Sequence, residues 1–212
     1  MSTISLSPKT ESQNPNSPET RYYSPEEYLA LEETADYKSE YINGEILTMA
    51  GGSINHNRVA LNLSTELNFA FKKLDYQVFM ADVRLWIPEK NSYTYPDIMV
   101  VKGEPEYYKD RSDTITNPLL IVEVLSKSTQ SYDRDLKFRA YRSIPTFQEY
   151  LLFEQDEIYV EQYVKTDTKR WSLQEYDQED KAISFAAVEG KIILADAYNK
   201  VKFTQQTSDT QK

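Results

Sequence analysis

The chain has 212 residues, with 34 acidic against 24 basic side chains and a formal net charge of −10. That balance argues against a protein that grips nucleic acid over its whole surface, because phosphate binding rests on Lys and Arg. The absence of cysteine removes disulfides, zinc–thiolate sites and thiol nucleophiles together, and suits a reducing, cytoplasmic setting. Hydrophobic residues at 40% and charged residues at 27% are ordinary for a soluble protein, and no apolar run is long enough to span a membrane.

Residues 1–20 are rich in Ser, Pro, Asn and Thr, and read as a disordered tail without an export signal. Ser24-Pro25-Glu26-Glu27 is a helix start, with Ser24 as N-cap, Pro25 in the first turn and Glu27 closing a capping box; the helix should end near Thr34. Asn43-Gly44, inside Lys38–Met49, predicts a hairpin with Glu40 on its first arm. Ser53 then caps a long helix with the apolar stripe Val59, Leu63, Leu67, Ala70 and Leu74, and His56 lies in its first turn.

Strand character returns at Val78-Phe79 and at Val83, Leu85 and Ile87, followed by a loop from Pro88 to Thr94. Ile98 to Val101 reads as a buried strand, Lys102 to Asn117 as a polar loop, and Leu119 to Leu125 as the next strand. Thr129 to Arg142 reads as a helix ended by Ile144-Pro145. Three further strands are expected at Glu149–Phe153, Ile158–Val164 and Trp171–Tyr176, and the chain should fray over residues 204–212. With no internal repeat, this order predicts a single domain over residues 21–203, of α/β (α+β) class, with a mixed sheet flanked by helices.

One histidine excludes a two-imidazole metal site, and no glycine-rich phosphate loop is present, which leaves carboxylates and lysines for chemistry. Asp97 opens one strand and Glu123 stands near the end of the next. Antiparallel pairing of the two would bring the acids together. Glu123 lies among Leu119, Ile121 and Leu125, where an ionised carboxylate needs compensation, either from a buried Lys or Arg or from a divalent cation. Lys137 follows on the next helix, also in position to pair with Asp133 at i,i+4 on the helix surface. The segment Lys127–Arg142 is locally basic in an acidic chain.

Taken together, Glu40 with Gly44-Glu45, His56, Tyr95-Pro96-Asp97, Val122-Glu123-Val124-Leu125-Ser126 with Ser128-Thr129, Asp133, Lys137, Tyr141 and Glu149-Tyr150 resemble a known family. It is the restriction-endonuclease family of the PD-(D/E)XK nuclease superfamily that is greatly expanded in photosynthetic bacteria, and the resemblance runs from about Arg21 to Tyr198. It implies a restriction-endonuclease-like core in which Asp97 and Glu123 bind Mg²⁺, with Mn²⁺ as a substitute and Glu40 as a further acid, to hydrolyse DNA phosphodiester bonds. The superfamily's usual lysine position is Leu125 here. Lys137 matches the family's lysine on the following helix and is preferred to Lys127; His56 and Asp82 are further candidates near the site. A homodimer suits an enzyme that cuts both strands of a duplex. The alternative is a catalytically silent nuclease-fold protein acting as a binding or assembly module, motivated by Leu125 and by the acidic chain.

Overall fold

The computed structural model describes residues 21–203; the tails expected over residues 1–20 and 204–212 lie outside the described residues. Helix α1 (Pro25–Glu32) begins with the expected capping box, Ser24 Oγ accepting from the Glu27 amide at 3.1 Å and the Glu27 carboxylate accepting from the Ser24 amide at 2.8 Å. Strands β1 (Ser39–Ile42) and β2 (Glu45–Thr48) form the hairpin. Its turn residues, Asn43 and Gly44, both have positive φ (46° and 104°), which is what the right-handed twist of the strands selects. Ser53 caps α2 (Ile54–Ala70) through the His56 amide. Val59, Leu63 and Leu67 are buried as expected, but the helix stops at Ala70, so that Phe71 takes the next core place and Leu74 is exposed.

Next come β3 (Tyr76–Met80), β4 (Arg84–Ile87), β5 (Ser92–Thr94), β6 (Ile98–Lys102), β7 (Thr114–Ile115) and β8 (Leu120–Leu125). A continuous helical stretch follows, made of α3 (Gln130–Tyr132), a π-helical segment (Asp133–Lys137) and α4 (Phe138–Tyr141). Strands β9 (Glu149–Glu154), β10 (Tyr159–Asp167), β11 (Arg170–Asp177), β12 (Ala182–Ser184) and β13 (Lys191–Ile193) and the short α5 (Leu194–Ala197) complete the described chain. The main sheet has the order β11-β10-β9-β8-β6-β3, with only β8 and β9 parallel. A second sheet has the order β2-β1-β5-β4-β7.

Two expected loops contain strands. Within Pro88–Thr94, a tight turn at Pro88–Lys90 and a left-handed Asn91 return the chain as β5, which pairs with β4 and β1. Within Lys102–Asn117, β7 pairs with β4 in parallel, held at its start by the Arg84 amide on the Asp113 carbonyl at 2.9 Å. Strands of two or three residues are too short for a period-two pattern to show, and tertiary pairing creates them.

Alternation along the main sheet separates its two faces. Ile98, Val100, Leu120, Val122 and Val124 face α2, whereas Met99, Val101, Ile121 and Leu125 pack with Phe138, Tyr141 and the second sheet's Leu85 and Ile87. Glu123 shares the parity of Ile121 and Leu125, so it points between the sheets rather than to solvent. On the far side of the second sheet, Tyr28 of α1 stacks on Tyr41 and Tyr93, each at 5.3 Å, and donates to the Ser39 carbonyl at 2.6 Å.

Glu149, fully buried at the start of β9, ties the C-terminal loop to the sheet. One carboxylate oxygen accepts from Gln162, the other from the amides of Ala186 and Ala187 at 2.9 and 2.7 Å. Glu149→Ala would orphan the Ala186 and Ala187 amides and leave Gln162 only its bond to the Ser184 carbonyl, at about 1–3 kcal/mol for a buried unpaired group. In urea unfolding it should lose more than Glu149→Gln, which keeps one acceptor; equal stability of Glu149→Ala and the parent would contradict this anchoring.

Candidate active site

The antiparallel register of β6 and β8, with Ile98 opposite Val122, sets Asp97 beside Glu123. Each acid is fixed by the other strand's backbone. The Asp97 amide donates to Glu123 Oε2 at 3.1 Å, and the Val124 amide donates to Asp97 Oδ2 at 2.8 Å. From the other face, the first turn of α2 brings His56 Nε2 to 3.3 Å from the same Asp97 oxygen.

Lys137 comes from the π-helical segment. Its ammonium lies 3.1 Å from Glu123 Oε1, 3.1 Å from Asp133 Oδ1 and 3.4 Å from Glu40 Oε1, and all four side chains are buried. Glu40 arrives on β1, where it accepts from the Tyr95 amide at 3.0 Å and from the Tyr132 hydroxyl at 2.8 Å. The Tyr141 hydroxyl donates to Glu123 Oε1 at 2.8 Å. In a regular α-helix each step of four residues rotates a side chain about 40° past its starting line, so Asp133, Lys137 and Tyr141 would fan apart. The wider π turn between Asp133 and Lys137 takes back part of that rotation, and all three reach one pocket. The Tyr150 hydroxyl, from β9, donates to the Asp133 carbonyl at 3.1 Å.

Burial drives the protonation equilibria here. Desolvation raises Glu123 well above the usual carboxylate range, against the opposing pull of Lys137, and the charges of Asp133 and Asp97 add to it. Desolvation likewise raises Asp133, with Lys137 opposing. For Lys137 desolvation favours the neutral amine, but Glu123, Glu40, Tyr141 and Asp133 together outweigh it and hold the ammonium well above its ordinary value. His56 follows the same logic, burial opposing its charge and Asp97 raising it more.

Of the residues singled out from sequence, Asp97, Glu123, Glu40, Lys137 and His56 converge. Asp82 and Lys127 do not: Asp82 is 84% exposed and paired with Lys38, and Lys127 is exposed in the turn after β8. Glu123 finds one of its two expected compensations, a buried lysine, and Lys137 reaches Asp133 at i,i+4, though inside the pocket rather than on the helix surface. Asp133, expected on the helix surface, is buried in the pocket; its i, i+4, i+8 spacing with Lys137 and Tyr141 is the signal that could have placed it there. Part of the basic segment is neutralised within the fold, with Arg134 on Glu154 of β9 and Glu161 of β10 at 2.8 Å each and Arg139 on Asp135 at 2.6 Å.

Four carboxylates thus face one ammonium and one imidazole, an excess of hard oxygen donors and negative charge. Among the described residues, no three acids or imidazoles already form a cation cage. A magnesium ion needs none, because it retains waters and binds through one or two carboxylates plus a substrate phosphate. Asp97 is the acid open to such a hydrated ion, its side chain 20% exposed against 3% for Glu123.

Removing the ammonium would strand the buried acids. Lys137→Met should cost about 3–5 kcal/mol at neutral pH, as for one broken buried ion pair. The loss should shrink as the pH falls and Glu123 and Asp133, already raised, take up protons. Denaturant melts at several pH values check this; a pH-independent loss would contradict it.

The fold matches a solved structure, titled a putative nuclease belonging to DUF820 from Anabaena variabilis ATCC 29413, with a TM-score of 0.67 at 20% identity, covering 83% of this chain and 97% of that one. Among curated proteins, the uncharacterized protein sll1609 of Synechocystis sp. (strain ATCC 27184 / PCC 6803 / Kazusa) is 45% identical over 167 residues, 79% of this chain and 94% of that protein. The uncharacterized protein slr1290 of the same strain is 39% identical over 160 residues, 74% of this chain and 82% of that protein. Residues 25–195 match the Uma2 family, described as "Putative restriction endonuclease", and the chain belongs to that family.

Proposed function

We propose that this chain is a divalent-cation-dependent endonuclease that hydrolyses DNA phosphodiester bonds. The observation that carries the reading is the pairing of Asp97 and Glu123 across β6 and β8, with the Lys137 ammonium 3.1 Å from Glu123. Asp97 and Glu123 would hold Mg²⁺, or Mn²⁺ in its place, with Glu40 as the further acid. Such a cation supplies Lewis-acid stabilisation of charge on the phosphate and lowers the pKa of a bound water.

The remaining work falls to the protein. The backbone amides of Asp97 and Val124 fix the orientation of the two carboxylates, so little reorganisation is needed when a phosphate enters. Lys137 stays charged and is held in place by three acids, so it can stabilise negative charge developing beside Glu123. Tyr132 and Tyr141 hold Glu40 and Glu123 by their hydroxyls, and His56 orients Asp97 from the α2 side. A homodimer suits this reading, since a duplex requires two cuts.

A second reading has support of its own. Lys137 already offsets Glu40, Glu123 and Asp133, and Leu125 occupies the superfamily's usual lysine position, as in a nuclease fold kept for binding or assembly. Plasmid nicking in Mg²⁺ separates the two. The endonuclease reading expects nicking that falls about 100-fold or more in Asp97→Ala and in Glu123→Gln, the scale of losing a group that stabilises the transition state. Undiminished nicking in either variant would locate the activity elsewhere, and a protein that neither nicks DNA nor gives heat on titration with millimolar Mg²⁺ would be the binding module.

A further inference from the structure

The two edges of the main sheet differ in a way that bears on partners. The β11 edge carries Arg170, Glu175 and Asp177, and the register of β10 with β11 shifts between Lys165 and Asp167. Charge and bulges are the usual devices that keep a free edge from pairing. The β3 edge has neither. It reads Tyr-Gln-Val-Phe-Met, in unbroken register with β6.

The in-register bonds from the Ala81 amide to the Asp97 carbonyl (3.1 Å) and from the Gly103 amide to the Asp75 carbonyl (2.9 Å) fix the alternation. Gln77 and Phe79 therefore turn their backbone groups to β6, and Tyr76 and Val78 turn theirs outward. Among the described residues no strand lies beyond them. Alongside runs a groove of about 690 Å³ between β3 and the end of α2, lined by Phe69, Phe71, Leu74, Tyr76 and Val78, with Phe69 77% exposed.

We propose that β3 is the surface through which two copies of this chain pair, edge to edge and antiparallel about a two-fold axis at Val78, joining their main sheets into one. A two-fold contact requires a surface complementary to itself, and an antiparallel edge strand has that property for its backbone bonds. The charges agree with the same arrangement. Exposed Lys72, Lys73 and Lys102, with Asp75, gather at the Tyr76 end, and exposed Asp82, beside Lys38, stands at the Met80 end. Antiparallel meeting sets the lysine-rich Tyr76 end of one copy against the Met80 end of the other, where Asp82 is held by Lys38, and so keeps the two lysine clusters apart. Phe69 and Leu74 would be covered at the same contact.

The pairing also has a consequence that rests on the endonuclease reading. A strand spacing of about 4.8 Å and a rise of about 3.4 Å per residue put the two Asp97 residues about 25 Å apart, on one face of the joined sheet. Two sites so placed could address one duplex from the same side.

The chain has no cysteine, so Val78→Cys introduces a unique thiol that its own symmetry mate would face at about 5.5 Å between Cα atoms, within disulfide reach. Under mild oxidation Val78→Cys should convert to a disulfide dimer while Gln174→Cys, on the β11 edge, stays largely single. In sedimentation the parent should be a dimer, and Phe69→Glu combined with Met80→Lys a monomer with unchanged far-UV circular dichroism. A monomeric parent, a dimer that survives the double substitution, or a Val78→Cys protein no more readily linked than Gln174→Cys would each overturn the proposal. These readouts are independent of nuclease activity, so the interface and the endonuclease reading can fail separately.

Discussion

The ammonium of Lys137, held against Glu123, Asp133 and Glu40, is the interaction on which the rest of the centre depends. Each of those acids is buried, and a buried ion without a partner costs several kcal/mol. The lysine reaches all three because the helix after β8 widens into a π turn, and because β8 turns Glu123 into the space between the two sheets. The Tyr132 hydroxyl takes the oxygen that the lysine leaves open on Glu40, while on Glu123 Tyr141 shares Oε1 with the lysine and the Asp97 amide takes Oε2. The result is a polar core satisfied from within, yet still carrying more negative than positive charge.

Asp97 stands at the border of that core. Its carboxylate is bound to β8 through the Val124 amide and to α2 through His56, so it links the helix on one face of the main sheet to the polar centre on the other. It is also the acid with a side chain reaching solvent. A substrate phosphate approaching the centre would meet Asp97 and His56 before it met Lys137. The architecture thus separates a buried, electrostatically fixed half of the site from an exposed half.

Much of this was legible because local rules and tertiary structure agree. The Ser24 capping box, the Asn43-Gly44 hairpin and the Ser53 helix start each rest on short-range chemistry, and the meeting of Asp97 with Glu123 follows from antiparallel pairing of two recognisable strands. What was not legible depends on distant partners. β5 and β7 are too short to carry a pattern, and they exist because β4 and β1 offer edges to pair with. The inward turn of Glu40 is set by the Tyr95 amide and by Tyr132, both far away in sequence. Asp133 looked like a surface residue because its i,i+4 lysine supplies an ordinary explanation. The i, i+4, i+8 spacing with Lys137 and Tyr141 hints at a shared side, and the π segment between Asp133 and Lys137 carries the pair inside.

The central claim is that Asp97 and Glu123 form one half of a divalent-cation site whose other half is a fixed lysine. The most direct test is anomalous diffraction from crystals of the protein soaked in Mn²⁺. A peak is expected between the Asp97 and Glu123 carboxylates, and none there in Asp97→Ala crystals under the same soak. No peak there at saturating Mn²⁺, or a peak that persists in Asp97→Ala, would contradict it.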